Sequence, residues 1–168
     1  MDFHLFSDRG TVWDAEAFAG KGVAWVRLEP APGVTVDVVN THTIAHSASS
    51  NNTWYRLSQV HQLLDVVSSS PAHAVILGGD LNSSPSSSEH DLLGDIFSDA
   101  LEDSHTQEEI GACCDLTTFA NPRNTFAGVT EAAPQLVDYI FHMANKYKFQ
   151  YPMQYTFFQT IIVSDLAH

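Results

Sequence analysis

The chain has 168 residues, of which 44% are hydrophobic and 16% charged, which describes a single globular domain with a real core and excludes a disordered segment. Twenty acids against seven Lys and Arg give a formal net charge of −13, so the surface repels a nucleic-acid backbone and polybasic docking on anionic lipid. That charge leaves a zwitterionic lipid head group open as a partner and argues for no nucleic acid.

No secretory signal is visible at Met1, and no apolar run approaches the length of a transmembrane segment. The adjacent Cys113 and Cys114 have poor spacing for a mutual disulfide, which favours reduced thiols and a cytoplasmic setting.

In chain order, residues 1–20 read as irregular. Lys21 to Leu28 alternates with β-branched and aromatic residues and predicts a strand. Pro30-Ala-Pro-Gly33 reads as a turn, and Val34 to Thr43 as the second strand of a hairpin. A polar loop over 47–52 precedes an N-cap at Thr53. Trp54 to Val67 then carries helical spacing at Leu57, Val60, Leu63, Leu64 and Val67, with Trp54 and Tyr55 expected in the core.

Ser68 to Pro71 breaks that helix. Ala72-His-Ala-Val-Ile-Leu-Gly-Gly-Asp80-Leu-Asn82 follows, apolar at its start and polar at its end, as in a central strand that emerges at a site. Helix followed by strand makes a crossover unit. A Ser-rich loop leads to a helix over 89–97, and residues 101–121 read as irregular. Thr125-Phe126, Leu136 to His142 and Pro152 to Phe158 read as strands, and Ile161 to Val163 runs into Ser164-Asp165. The sum is a layered α/β fold with several antiparallel strands.

Polar groups gather at four predicted strand ends: Asn40-Thr41-His42, Asp80-Leu-Asn82, Asp138 within Leu136-Val-Asp-Tyr-Ile-Phe141, and Asp165. Ligands of α/β sheets collect at strand C-termini. A carboxylate and a carboxamide two apart on a strand share a face, and Gly78-Gly79 lets backbone or ligand approach closely. Asp138 lies between apolar neighbours, where a lone carboxylate is costly unless it is paired. This set suits metal-assisted phosphoryl transfer, and its hard oxygen donors favour Mg²⁺ over zinc.

The order Asn-Thr-His, Gly-Asp-Leu-Asn about forty residues on, Val-Asp-Tyr-Ile, then Ser-Asp resembles the endonuclease/exonuclease/phosphatase superfamily. Within it the chain is similar to Mg²⁺-dependent neutral sphingomyelinases, through Glu16-Ala-Phe-Ala-Gly-Lys21-Gly-Val, Arg56-Leu-Ser-Gln59 and Pro122-Arg-Asn-Thr-Phe126. The resemblance covers nearly the whole chain and implies a layered α/β sandwich of the DNase I-like type, here one partial domain over residues 1–168.

It also implies roles. His42 would stabilise the phosphoryl oxygens, Asp80 would activate the attacking water and contact Mg²⁺, and Asn82 would hold the phosphate beside Asn40. Asp138 would support the site from a neighbouring strand, Asp165 would contact Mg²⁺ and orient a base, and Lys21 with Glu16 would form a switch that assembles the site. The implied reaction is hydrolysis of sphingomyelin, a phospholipid at a membrane surface, by a protein peripheral to that membrane.

Three departures accompany the resemblance. The family's N-terminal Asn and metal-binding Glu have no counterpart before residue 13, so both ends read as truncated. Glu16 stands where the family has Asp. Leu166 follows Ser164-Asp165 where the family has the base His, and the nearest histidine is His168. Two residues along a strand displace a side chain by about 6–7 Å, while a general base works within about 3 Å of its proton. The expectation is therefore a sphingomyelinase-type site that is impaired in this chain. An inactive remnant, and a nuclease or inositol-phosphate phosphatase of the same superfamily, stand as alternatives.

Overall fold

The computed structural model describes residues 1–10, 18–45, 52–100 and 136–144. Its elements are β1 (Asp2–Leu5), β2 (Gly22–Ala31), β3 (Val34–His42), α1 (Thr53–Ser68), β4 (Ala74–Asp80), α2 (Ser88–Gly94), β5 (Ser98–Asp99) and β6 (Asp138–Ala144). They form a mixed six-stranded sheet in the order β1-β2-β3-β4-β6-β5. β3 and β4 are parallel, and the other described pairs are antiparallel.

The β2–β3 hairpin and the β3–α1–β4 crossover follow the periodicity of the sequence. Other elements depart from it. Residues 2–5 form a strand, because Asp2 to Leu5 pairs with Trp25 to Gly22 along the edge of β2. β2 continues to Ala31, and Pro30 is accommodated in the irregularity between Leu28 and Ala31, where no ladder donor is needed. Thr53 is the first residue of α1 rather than its cap. Asn52 precedes the helix, and its side chain donates to Ala45 O at 2.7 Å.

α2 is shorter than expected. Ser87 caps it by accepting from His90 N at 3.2 Å. Trp54, expected in the core, is 66% exposed with its ring edge-on to Tyr55, since position 54 lies outside the buried stripe of α1. The readings over 101–121, 125–126, 152–158 and 161–165 lie outside the described residues, as do Cys113 and Cys114.

The register divides the sheet into two faces. Val39, Val75, Leu77, Tyr139 and Phe141 point toward the helices and join Val60, Leu63, Leu64 and Val67 of α1 and Leu93 of α2 in the core. Burying each such side chain contributes about 1.5–3 kcal/mol. Two polar pairs are sealed inside this layer: Arg56 with Glu89 at 2.8 Å, joining α1 to α2, and His90 with Asp99 at 3.0 Å.

The opposite face carries Phe3, Leu5, Val26, Leu28 and Ile140, all exposed. Asn40, His42, Asp80 and Asp138 stand on this second face, toward one end of it.

Candidate active site

Parallel pairing aligns the ends of β3 and β4, so His42 lies directly beside Asp80. Antiparallel pairing with β6 puts Asp138 beside Asp80 on the other side. Three polar side chains from segments far apart in sequence thereby form one row on one face.

β2 adds a fourth. Lys21 immediately precedes that strand and runs back alongside the end of β3, and its Nζ lies 2.9 Å from His42 Nε2. An ammonium group only donates, so Nε2 accepts, and a neutral ring then carries its proton on Nδ1. The same Nε2 lies 3.6 Å from Asp80 Oδ2.

A glycine at position 79 permits this alignment. Gly79 has φ +135°, and a Cβ there would sit 2.0 Å from Thr41 O on β3. The close approach allowed by the glycine is thus that of a neighbouring strand. Gly78 has no such crowding; its nearest neighbour would be Tyr139 O at 3.6 Å.

Beyond Asp80 the chain leaves the strand. Asn82 adopts left-handed backbone with φ 47°, so Asp80 and Asn82 do not share a strand face as expected. Instead Asn82 N–H donates to Asp80 Oδ1 at 2.8 Å, and Asn82 Nδ2 donates to Thr43 O at 3.0 Å. Thr43, which the motif reading passed over, ties the two ends together. Its N–H donates to Asp80 O at 3.0 Å and its hydroxyl to Leu81 O at 2.5 Å. Its position directly after His42 was the available signal.

Burial raises the Asp80 carboxyl above its ordinary value of 3.8. The Asn82 N–H opposes this, the neighbouring Asp138 adds to it, and His42 and Lys21 pull the other way; the net direction is upward. Asp138 itself is exposed between buried Val137 and Tyr139, not enclosed as its apolar neighbours suggested. Asn40 is exposed, in register with Gly78. Ser83 Oγ is buried with no hydrogen-bond partner among the described residues. Glu16, Asp165 and His168 lie outside the described residues.

Asp80 and Asp138 are hard oxygen donors set side by side, and their mutual repulsion is what a divalent cation would relieve. The donor chemistry therefore fits a hard cation such as Mg²⁺, although no group of three His, Cys, Asp or Glu converges among the described residues.

Residues 2–152 match the endonuclease/exonuclease/phosphatase family, and the chain belongs to that family. It is a family of hydrolases that act on phosphodiester bonds, generally with divalent metals. Among solved structures, the chain is similar to TDP2 of D. rerio complexed with a single-strand DNA product, with a TM-score of 0.60 and 19% identity over 88% of this chain and 54% of that one. SmcL is similar with a TM-score of 0.59 and 22% identity over 84% and 48% of the two chains. Sphingomyelinase C from Streptomyces griseocarneus is similar with a TM-score of 0.56 and 23% identity over 84% and 47%.

These likenesses show the DNase I-like fold. The chain spans about half the length of those structures. No curated protein sequence matches it. Among the described residues no helix is long and apolar enough to cross a membrane.

Proposed function

We propose that the row Lys21, His42, Asp80 and Asp138 belongs to a phosphodiesterase site whose substrate is sphingomyelin or a related choline phospholipid, presented at a membrane surface. The observation that carries this reading is the contact chain at the end of β3 and β4, with Lys21 Nζ 2.9 Å from His42 Nε2 and His42 Nε2 3.6 Å from Asp80 Oδ2. The charge of −13 supports a substrate with a cationic choline group over a polyanion.

Mg²⁺, held by Asp80 with Asp138 alongside and with Asp165 as a further candidate ligand, would supply charge neutralisation at the phosphate. The protein's own groups do the rest. Asp80, a carboxyl with raised proton affinity, accepts a hydrogen bond from the attacking water. Lys21 donates toward the phosphoryl oxygens as negative charge grows, and His42, whose Nε2 accepts from Lys21, donates through Nδ1–H. Asn82 and Asn40 orient the phosphate. The water oxygen forms the new P–O bond and passes its proton to Asp80, the P–O bond to ceramide breaks, and the ceramide oxygen leaves with its electron pair and takes a proton from solvent, giving ceramide and phosphocholine.

The test is release of phosphocholine from mixed sphingomyelin–detergent micelles with and without Mg²⁺, with plasmid DNA and inositol phosphates as parallel substrates. Mg²⁺-dependent release that Asp80→Ala abolishes supports the reading. DNA nicking or inositol-phosphate turnover without phosphocholine release replaces it with the nuclease or phosphatase reading. No turnover of any substrate, even after Leu166→His, makes the chain a non-catalytic member of the family.

A further inference from the structure

We infer that Tyr139 is a positioning residue whose phenol staples together the two backbone segments that present Asn82 and Asp138. The inference rests on the reading of the site given above. Tyr139 follows Asp138 on β6, so its side chain points to the opposite face, into the core. Its ring packs against His90 at 5.1 Å and Phe141 at 5.6 Å. From there the hydroxyl reaches two carbonyls: Ser83 O at 2.9 Å and Leu136 O at 3.1 Å.

Those two carbonyls lie on different segments. Ser83 directly follows Asn82 in the loop after β4, and Leu136 lies two residues before Asp138 on the approach to β6. A phenol has one proton, so the two carbonyls share it in a three-centre arrangement or take it in turn. The site is buried, so water is poorly placed to replace it.

Other bonds among the described residues meet at the same corner. Leu81 N–H donates to Val137 O at 2.8 Å, and Thr43 and Asn82 make the bonds already described. Asn82 is in left-handed backbone, which asparagine tolerates better than other non-glycine residues, and its side chain is tied to Thr43 O at 3.0 Å. The phenol therefore acts on the chemistry through Asn82 and Asp138 and touches no substrate itself.

Tyr139→Phe tests this, since it keeps the ring on His90 and Phe141 and removes only the hydroxyl. The first readout is amide hydrogen exchange in the absence of Mg²⁺ and substrate. Exchange at Leu81 and Asn82 should speed up about tenfold in the variant while Val75 and Leu77 in the core are unchanged. The second readout is turnover of a water-soluble choline phosphodiester, where kcat should fall about tenfold with KM within twofold. Tyr139→Leu, which also removes the ring, should accelerate exchange throughout the core and serves as the structural control.

Unchanged exchange at Leu81 and Asn82 in Tyr139→Phe overturns the inference, as does acceleration spread equally over core and loop. If the native chain turns over no phosphodiester, the reading of the site fails, and exchange alone still decides whether Tyr139 is the staple.

Discussion

Two aspartates on adjacent parallel strands stand at opposite ends of them and in opposite states. Asp37, near the start of β3, is buried, and its carboxylate is fully committed. Arg27 Nε and Nη2 donate to its two oxygens at 2.8 Å each, and Ser70 Oγ donates at 2.6 Å. Asp80, at the end of β4, is half-buried. It receives one backbone N–H from Asn82, stands 3.6 Å from His42, and has Asp138 as its cross-strand neighbour.

The first carboxylate is neutralised by the fold, and the second is left short of positive charge. A satisfied ion pair contributes stability and offers nothing to a ligand. An under-neutralised carboxylate with raised proton affinity is where a cation or a reacting proton gains most.

The largest expected effect comes from removing the charge at the open end. Asp80→Asn should lower phosphodiester turnover about a thousandfold, or about 4 kcal/mol, a scale set by losses of transition-state electrostatic stabilisation. It should leave the fold as stable or more stable at pH 7. The sign follows from the direction of the shift. A carboxyl raised above 3.8 in the folded state favours the protonated form, so its ionisation costs stability above that folded value and costs nothing below the unfolded one. Denaturant titrations that start below pH 3.8 should show the native chain losing stability as pH rises from the unfolded value through the folded one and levelling off above it, with Asp80→Asn losing less. Mg²⁺ should raise the Tm of the native chain and not that of Asp80→Asn. Equal pH slopes would end the contrast between the two aspartates.

The closed end should give a smaller effect of a different kind. Asp37→Ala removes three charge-assisted bonds and should cost about 2 kcal/mol in urea unfolding, while Arg27, exposed, returns to water. Turnover per folded molecule should hold within twofold. A loss of activity at constant folded fraction would show that the two ends are coupled.

Smaller again is Lys21→Met. It removes the cation beside His42 and should lower kcat about tenfold, near 1.4 kcal/mol, with Tm changed by only a few degrees. Steady-state kinetics alongside calorimetry checks both parts. The smallest effect belongs to Trp54→Ser, which should shift stability by no more than about 0.5 kcal/mol because the ring is exposed. A larger shift in urea unfolding would restore the core role expected from its sequence.

Much of this contrast is legible in the sequence, though unevenly. The Val-rich run at 34–39 and the apolar run at 74–77 are each long enough to announce a strand, and the stripe Val60, Leu63, Leu64, Val67 announces the helix between them. Asp2 to Leu5 and Ser98-Asp99 are too short to carry a period, and they are strands only because β2 and β6 offer them partners.

At the candidate site, the motifs placed His42 and Asp80 at strand ends, where the structure has them, and Asn82 two residues beyond Asp80. That Asn82 turns away from the strand and bonds Thr43 could not be read from them, since the two-residue spacing suggests a shared face. Asp138 was singled out for its apolar neighbours, and it proves exposed because Val137 and Tyr139 point to the core while it points away. Tyr139 read only as part of a strand, and its hydroxyl gains a role because Ser83 and Leu136 are brought to it.

By itself the sequence determined the longer described strands and helices, Asp2–Leu5 and Ser98–Asp99 excepted, and which polar residues stand at their ends, because local periodicity and residue chemistry are written in adjacent positions. The tertiary structure alone decided that Lys21 meets His42, that Asp138 faces Asp80 and that Asp37 is closed off by Arg27. Those are cross-strand neighbours. Register between distant segments sets them, and register follows from burying one whole face of the sheet against α1 and α2.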